Sequence, residues 1–256
     1  MFTDRTALQT AAYAEQGPLA ARLAIYRWQR NPVDLQGLAL AALAGVSGTV
    51  LDAGCGLGTY VARLRRERPD LRVLPLDLSA GMRPAVVGDI QALPLADASV
   101  GGALAMHMLY HVPDIPVAVH ELRRVVQPGG VLVVSTNGVD DKLEVGNLIA
   151  AAVRDLTGSV IEPPDSDGRF TPEDAGVLRA EFGTVEVAVY DREVVVSAAE
   201  PVVAFVDSMR ALTGAVLPAE VPWDAFLDAV RLRVSAEVER HGAWTMRSQV
   251  GILTCR

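Results

Sequence analysis

Val50-Leu51-Asp52-Ala53-Gly54-Cys55-Gly56-Leu57-Gly58-Thr59-Tyr60 reads as a buried strand, a tight turn and the start of a helix. An apolar lead-in ends at an acidic residue, and glycine then occupies every second position. Glycine is needed where the backbone takes positive φ or lies against a ligand with no Cβ between them. Strand, Gly-rich turn and helix N-terminus in succession build a ligand site at the carboxyl end of a parallel sheet. A dinucleotide fingerprint would read G-x-G-x-x-G. Here the third glycine, Gly58, comes one position early and Thr59 stands where that pattern wants glycine. A nicotinamide cofactor is therefore disfavoured.

Working outward, strand one is Thr49 to Leu51, and a helix from Thr59 to Arg68 is stopped by Pro69. Strand two runs from Leu71 to Leu76, and Pro75, which cannot donate to a ladder, is expected to end regular pairing there. Asp77 follows 19 positions beyond Gly58. A carboxylate at that distance can accept both hydroxyls of a ribose, or it can cap the next helix in competition with Ser79. Ser79 to Pro84 leaves room for about one turn, whereas a crossover usually takes about a dozen residues. Either the crossover is a stub or Ala85-Val86-Val87 is not a regular strand. Asp89 either satisfies its own turn or presents a carboxylate to a ligand amine. Val100 to Met106 is strand four, and His107-Met108-Leu109-Tyr110-His111 lies at its carboxyl end, where open α/β sheets place their chemistry. Asp114 caps a helix with Pro116 in its first turn, Gln127-Pro128-Gly129-Gly130 ends it, and Val131 to Thr136 is strand five. The alternation implies a doubly wound parallel sheet.

Before the sheet, Thr3 to Arg30 reads as one or two helices broken at Gly17-Pro18, packed on the sheet edge or closing over a ligand. Leu35 to Leu43 is a further helix. Past Asn137 an amphipathic helix is marked by Leu143, Leu148, Ile149, Ala152, Val153 and Leu156, followed by a polar loop at 162–168. Thr171-Pro172-Glu173-Asp174 caps a helix ending at Gly183. Strand six is Thr184 to Tyr190, with a short strand at Val194 to Ser197. Helices near Val202 to Leu212 and Trp223 to Arg240 precede a terminal strand, Gln249 to Cys255. The organisation expected is a lid at 1–44, a core at 45–136, a cap at 137–170, core again at 171–197, a second cap at 198–245 and a terminal core strand at 246–256.

The 256 residues are half hydrophobic and carry a net charge of −8, which suits a large core and argues against a general nucleic-acid binder. Arg63, Arg65, Arg66, Arg68 and Arg72 form the one basic run, read as a solvated helix face. Cys55 and Cys255 make no disulfide framework. No signal peptide is read at the N-terminus, and the longest apolar run is too short to span a bilayer. A soluble cytoplasmic protein is expected, with no membrane partner.

Four segments occur in order: Leu51 to Gly58; Asp77-Leu78-Ser79-Ala80-Gly81-Met82; Gly88-Asp89 through Ala92-Leu93-Pro94-Leu95; and Glu121-Leu122-Arg123-Arg124-Val125 through Pro128-Gly129-Gly130. Over residues 45–136 they resemble the class I S-adenosylmethionine (SAM)-dependent methyltransferases of type 11, whose first motif is an acidic residue followed by G-x-G-x-G. The resemblance implies an α/β, Rossmann-like, doubly wound sheet of seven strands, the last antiparallel, with an N-terminal helical lid and helical cap insertions. It implies SAM as cofactor and S-adenosylhomocysteine as product. Asp52, Ala53, Gly54, Cys55, Gly56 and Gly58 would hold the methionine part, Asp77 the ribose, Leu78 and Met82 the adenine faces, and Asp89 and Ile90 its edge. Met106 would face the methionine amine, and Tyr13 and Arg22 are candidates for its carboxylate. The chain departs from the family in the shortened helix after Asp77, in Pro75, and in lacking an acidic residue before strand four.

Methyl transfer from a sulfonium is an in-line displacement whose main demand is alignment and exclusion of water. A neutral hydroxyl or an ammonium acceptor also needs a base, and His107, Tyr110 and His111 lie where one belongs, although each histidine could instead be structural. The four-residue spacing of the histidines matches H-E-x-x-H without its Glu, so no metal is expected. A small organic acceptor at O, N or C is the expected partner rather than nucleic acid. The rivals are a SAM-fold cyclase, decarboxylase or non-catalytic partner, a nicotinamide oxidoreductase, and an RNA methyltransferase.

Overall fold

Val100–Met106 is buried at every position, and Val50 to Ala53 likewise. Strands covered on both faces belong at the centre of a parallel sheet, and both are there. The structure, a computed structural model, describes residues 3–161, 170–213, 217–218 and 221–256. Among these, eight strands form one sheet: β1 (Gln29–Arg30), β2 (Thr49–Ala53), β3 (Arg72–Asp77), β4 (Val86–Val87), β5 (Val100–Met106), β6 (Val126–Asn137), β7 (Val185–Val196) and β8 (Trp244–Cys255). Their order is β1-β7-β8-β6-β5-β2-β3-β4. β4, β3, β2, β5 and β6 pair in parallel, while β8 runs antiparallel to both β6 and β7. The α/β class and the antiparallel last strand are as expected. The eighth strand is β1, which pairs Gln29 with Val194 at the β7 edge.

The helices are α1 (Arg5–Ala7), α2 (Gln16–Ala24), α3 (Leu35–Ala42), α4 (Thr59–Glu67), α5 (Ile115–Val125), α6 (Leu143–Thr157), α7 (Ala175–Arg179), α8 (Glu200–Asp207), α9 (Arg210–Thr213) and α10 (Trp223–His241). Successive strand residues face opposite sides. Leu51, Leu76, Ala105 and Leu132 therefore meet α5 and α7, whereas Val50, Leu104 and Val133 meet α3 and α4. A third core joins α6, α8 and α10 to Val194, Val196, Trp244 and Met246. This cap rests on the part of β7 and β8 that extends past the tip of β6.

Several expectations change. The N-terminal helices break at Tyr13 to Glu15, not at Gly17-Pro18. Pro18 lies in the first turn of α2, where a missing N–H costs nothing. Pairing does not stop at Pro75, which stays in register with Asp52. Its carbonyl accepts from Ala85, so its polar backbone faces the short edge strand β4, where no partner needs a donor. The crossover after Asp77 is a single 3-10 turn, Ala80–Met82, and β4 is a parallel member of two residues. Strand six and its short follower are one strand, β7, because β8 pairs along its whole length. The helix expected to reach Gly183 ends earlier, although Thr171 and Asp174 do form the capping box. The loop at 162–168 lies outside the described residues. No helix among them is long and apolar enough to cross a membrane.

Candidate functional site

Gly54, Gly56 and Gly58 have φ of 71°, 51° and 70°. Alternate glycines thus supply three left-handed residues in a five-residue turn, a path few other side chains tolerate. A Cβ on Gly54 would lie 2.9 Å from Met108 Cβ. The turn is tied down by Leu76, whose carbonyl accepts from Gly54 and Cys55 at 2.8 and 3.0 Å. It opens onto a cavity of about 1090 Å³ that runs beneath the lid and the cap. Ligand pockets span roughly 300–1,000 Å³, so this cavity has room for more than one small molecule.

Asp52 is 1% exposed at the floor of this cavity, and its Oδ2 has no hydrogen-bond partner among the described residues. Burial, and then the neighbouring Asp77, push its pKa up to about 7. Asp77 accepts from Gly56 N at 2.9 Å and from Ser79 N at 2.9 Å, one bond to each oxygen. Each oxygen keeps a lone pair, which is what a vicinal diol requires. Burial raises the Asp77 pKa, opposed by these backbone donors. Ser79, rather than Asp77, caps the following turn. Asp89 accepts from Gln91 N at 3.0 Å and pairs with Arg5 of α1 at 2.5 Å.

The N-terminal segment lies over this half of the cavity. Gln9 donates to the Leu78 carbonyl at 3.0 Å, and Ser79 Oγ donates to the Tyr13 carbonyl at 2.7 Å. Tyr13 Oη and His111 Nε2 share a hydrogen bond of 2.8 Å, and Arg22 donates to the same phenol oxygen at 3.3 Å. Arg22 also donates to the Ser208 carbonyl at 2.9 Å, beyond α8, which links the N-terminal segment to the helices packed on β7 and β8. Tyr110 stacks edge-on against His111 with ring centroids 4.6 Å apart. Burial raises the pKa of both Tyr13 and Tyr110, so both phenols stay protonated. His107 has φ 54°, a strained value for a residue with a Cβ, and its N–H donates to the Ser135 carbonyl at 2.9 Å. Burial, then the charges of Lys142 and Arg192, lower its pKa to about 3.

Residues 51–134 match the family described as "Methyltransferase domain". Over that stretch the chain is similar to methyltransferase domains, and its sheet has the class I methyltransferase fold. It is 40% identical over 108 residues to malonyl-[acyl-carrier protein] O-methyltransferase of Serratia marcescens, covering 38% of this chain and 42% of that protein. It is 36% identical over 115 residues to 23S rRNA (guanine(748)-N(1))-methyltransferase of Streptomyces fradiae, covering 41% of this chain and 39% of that one. The chain thus spans about two fifths of the length of these curated relatives. A solved candidate methyltransferase of an antibiotic biosynthesis pathway from Anabaena variabilis shares the fold at TM-score 0.55 and 15% identity, over 84% of this chain and 96% of that one.

The cavity brings together Tyr13, Arg22, Asp52, Gly54, Cys55, Gly56, Asp77, Leu78, Asp89, Ile90, Met106, His107, Tyr110 and His111. Ala53 and Gly58 do not line it. Ala53 is fully buried, and Gly58 serves as the N-cap of α4. Met82 does not line it either, because the 3-10 turn rolls its side chain into the protein, where it is 3% exposed. The residues that sequence reasoning missed include Tyr26, Gln29, Tyr60, Lys142 and Arg192, which also line the cavity, Tyr60 in the first turn of α4 beside the glycine turn. Arg192 carried a signal: it shares the inward face of β7 with Val194 and Val196 and is the one charge among them. Splitting β7 into two strands had placed Arg192 in a turn. The basic run on α4 is largely neutralised, with Arg63 held by Asp34 and Glu67, Arg66 by Glu67, and Arg68 by Asp70. No group of three or more His, Cys, Asp or Glu among the described residues is placed to hold a metal.

Proposed function

We propose that the protein is a SAM-dependent methyltransferase acting on a small organic molecule enclosed between the sheet tips, the lid and the cap. The observation that carries this reading is Asp52, a buried carboxylate with an unpartnered oxygen that lines the cavity beside the glycine turn. A carboxylate so placed fits the ammonium of an amino-acid ligand, and Asp77 with two lone pairs fits the ribose of the same nucleoside. Leu78 and Ile90 supply apolar walls for adenine, and Asp89 can accept from its amine if Arg5 shares the carboxylate. SAM supplies an electrophilic methyl group on a sulfonium. The chain's own tasks are to hold the acceptor in line, keep water out and remove a proton where the acceptor carries one. His111 is the base we assign, held by Tyr13, whose phenol Arg22 in turn orients. His107, with its pKa near 3, is a weak base and serves instead to shape the β5 tip.

Enclosure favours a small acceptor over RNA, as do the net charge of −8 and the paired arginines of α4. Calorimetric titration with SAM, S-adenosylhomocysteine and NAD tests the proposal. Both adenosyl compounds should bind and NAD should not; binding of NAD alone would end it. The base is tested by His111→Ala, which should lower turnover about a hundredfold with S-adenosylhomocysteine affinity unchanged. Unchanged turnover would leave alignment alone as the source of catalysis.

A further inference from the structure

Arg192 is 8% exposed, lines the far end of the cavity, and forms no ion pair among the described residues. Its Nη2 donates to Ser248 Oγ at 2.9 Å, while its Nε is buried without a partner. The guanidinium carbon lies 5.5 Å from the Tyr26 ring centroid. The carboxylate that bears most on it, Asp141, is already committed to Lys142 Nζ through Oδ2 and to Gln249 N through Oδ1. A buried charge with one partner missing is expensive and is retained where a ligand supplies the counter-charge. Burial lowers the Arg192 pKa, in keeping with that cost. Gln29 pairs with Val194 across β1 and β7, so it shares the inward face with Arg192, one step along the strand. Its Nε2 is also buried without a partner, and Gln29 too lines the cavity. Two residues with unfilled donors thus share one face of the sheet and line the same cavity.

We infer that Arg192 and Gln29 form an anchor for a carboxylate carried by the methyl acceptor. The inference rests on the methyltransferase reading for the word acceptor, and on the cavity alone for the carboxylate. Four strand-to-strand steps separate β7 from β2. The Arg192 side chain nevertheless reaches back far enough for its charge to act on His107 and on Tyr60 in the first turn of α4. S-adenosylhomocysteine affinity is therefore what separates the anchor from the cofactor's end. A guanidinium fork matches a planar monoanion. A dianionic phosphate suits the wall less, because Asp34 and Asp141 also line the cavity. Leu143, Val145, Ile149 and Phe205 furnish an apolar channel alongside, so the carboxylate belongs to a molecule with a hydrocarbon body.

The test is calorimetric titration of the full chain, with and without S-adenosylhomocysteine, using two pairs of probes: hexanoate with hexanamide, and phenylacetate with phenylacetamide. In at least one pair the acid should bind on the order of tenfold more tightly than the amide. Arg192→Gln and Gln29→Leu should each shrink that preference, with S-adenosylhomocysteine affinity unchanged within about twofold. Arg192→Met should raise the Tm of the ligand-free protein, since it removes an uncompensated charge; a structural arginine would lower it. Equal binding of acids and amides by the wild type would overturn the inference, as would a preference that survives both Arg192→Gln and Gln29→Leu. A large loss of S-adenosylhomocysteine affinity in Arg192→Gln would also overturn it, by giving the guanidinium to the cofactor's carboxylate. If the wild type ignores S-adenosylhomocysteine, the methyltransferase reading fails, while the titrations without nucleoside still judge the anchor.

Discussion

Replacing Asp52 with Asn separates two effects of one carboxylate. In the folded protein it titrates at about 7 rather than 3.8, because burial and then Asp77 oppose its ionisation. Between those values the folded chain holds a proton that the unfolded chain has lost, so stability falls as pH rises through that interval. The contribution is intact below about pH 4 and gone above about pH 7. Three units at 1.36 kcal/mol each give about 4 kcal/mol as an upper limit. Asn cannot ionise, so the ligand-free Asp52→Asn protein should be more stable than wild type at pH 8 and nearly equal to it at about pH 4.

Ligand binding should run the other way. An ammonium gains from the ionised carboxylate, so wild-type affinity for S-adenosylhomocysteine should rise with pH, by at most tenfold per unit, and level off above about pH 7. The Asn variant should bind about 10–100-fold more weakly at pH 8, with little pH dependence, which is what losing a charge-assisted hydrogen bond of about 1.5–3 kcal/mol implies. Thermal unfolding and calorimetry across this range measure both. A variant that is less stable at pH 8 yet binds S-adenosylhomocysteine as wild type does would refute the reasoning, since Asp52 would then be a structural group.

Three further outcomes are expected. His107, with its pKa lowered to about 3 from 6.5 by burial and by Lys142 and Arg192, should stay neutral through neutral pH. Its stability contribution is lost only as pH falls from about 6.5 towards 3, and a nitrogen NMR titration with a midpoint near 6.5 would contradict its burial. Gly81→Ala would set a Cβ 2.0 Å from the Ala14 carbonyl oxygen. It should cost about 1–3 kcal/mol and speed proteolysis within the lid, whereas unchanged cleavage would show the lid is not seated there. Cys55 and Cys255, both pushed up to about 12 by burial first, should resist thiol reagents until the protein is denatured. Stoichiometric native labelling at pH 8 within minutes would exclude that burial.

The glycine-turn half of the cavity was legible because its geometry is local. Positive φ at alternate positions demands glycine, and a carboxylate ending β3 sits beside the turn after β2 whatever the rest of the chain does. What failed in the sequence depends on partners far along the chain. Pro75 looked like the end of a strand, yet which side of the strand its nitrogen faces decides the matter, and that is set by β4. Met82 sits in a motif that flanks a ligand, but a one-turn crossover rolls it inward. Arg192 and Gln29 meet only because β1 pairs with β7, a two-residue contact across more than 160 positions of chain. Periodicity cannot register such a pairing, so the Arg192 wall of the cavity was invisible although each of its residues was in plain view.

The lid ties the two ends together. Arg5 and Gln9 engage Asp89 and Leu78 at one end, Tyr13 holds His111 in the middle, and Arg22 reaches the Ser208 carbonyl beyond α8. Exposed or half-buried polar contacts contribute about 0.5–1.5 kcal/mol each, so releasing the segment costs a few kcal/mol, well within the range of local opening. On the proposed function this has a kinetic consequence. Opening the lid admits ligand but also withdraws Tyr13 from His111, so the base loses one of the contacts that orient it while the stacking of Tyr110 remains. Loosening any single latch should slow the chemical step and hasten ligand exchange together, whereas a base built wholly on the β5 tip would let the two rates vary independently.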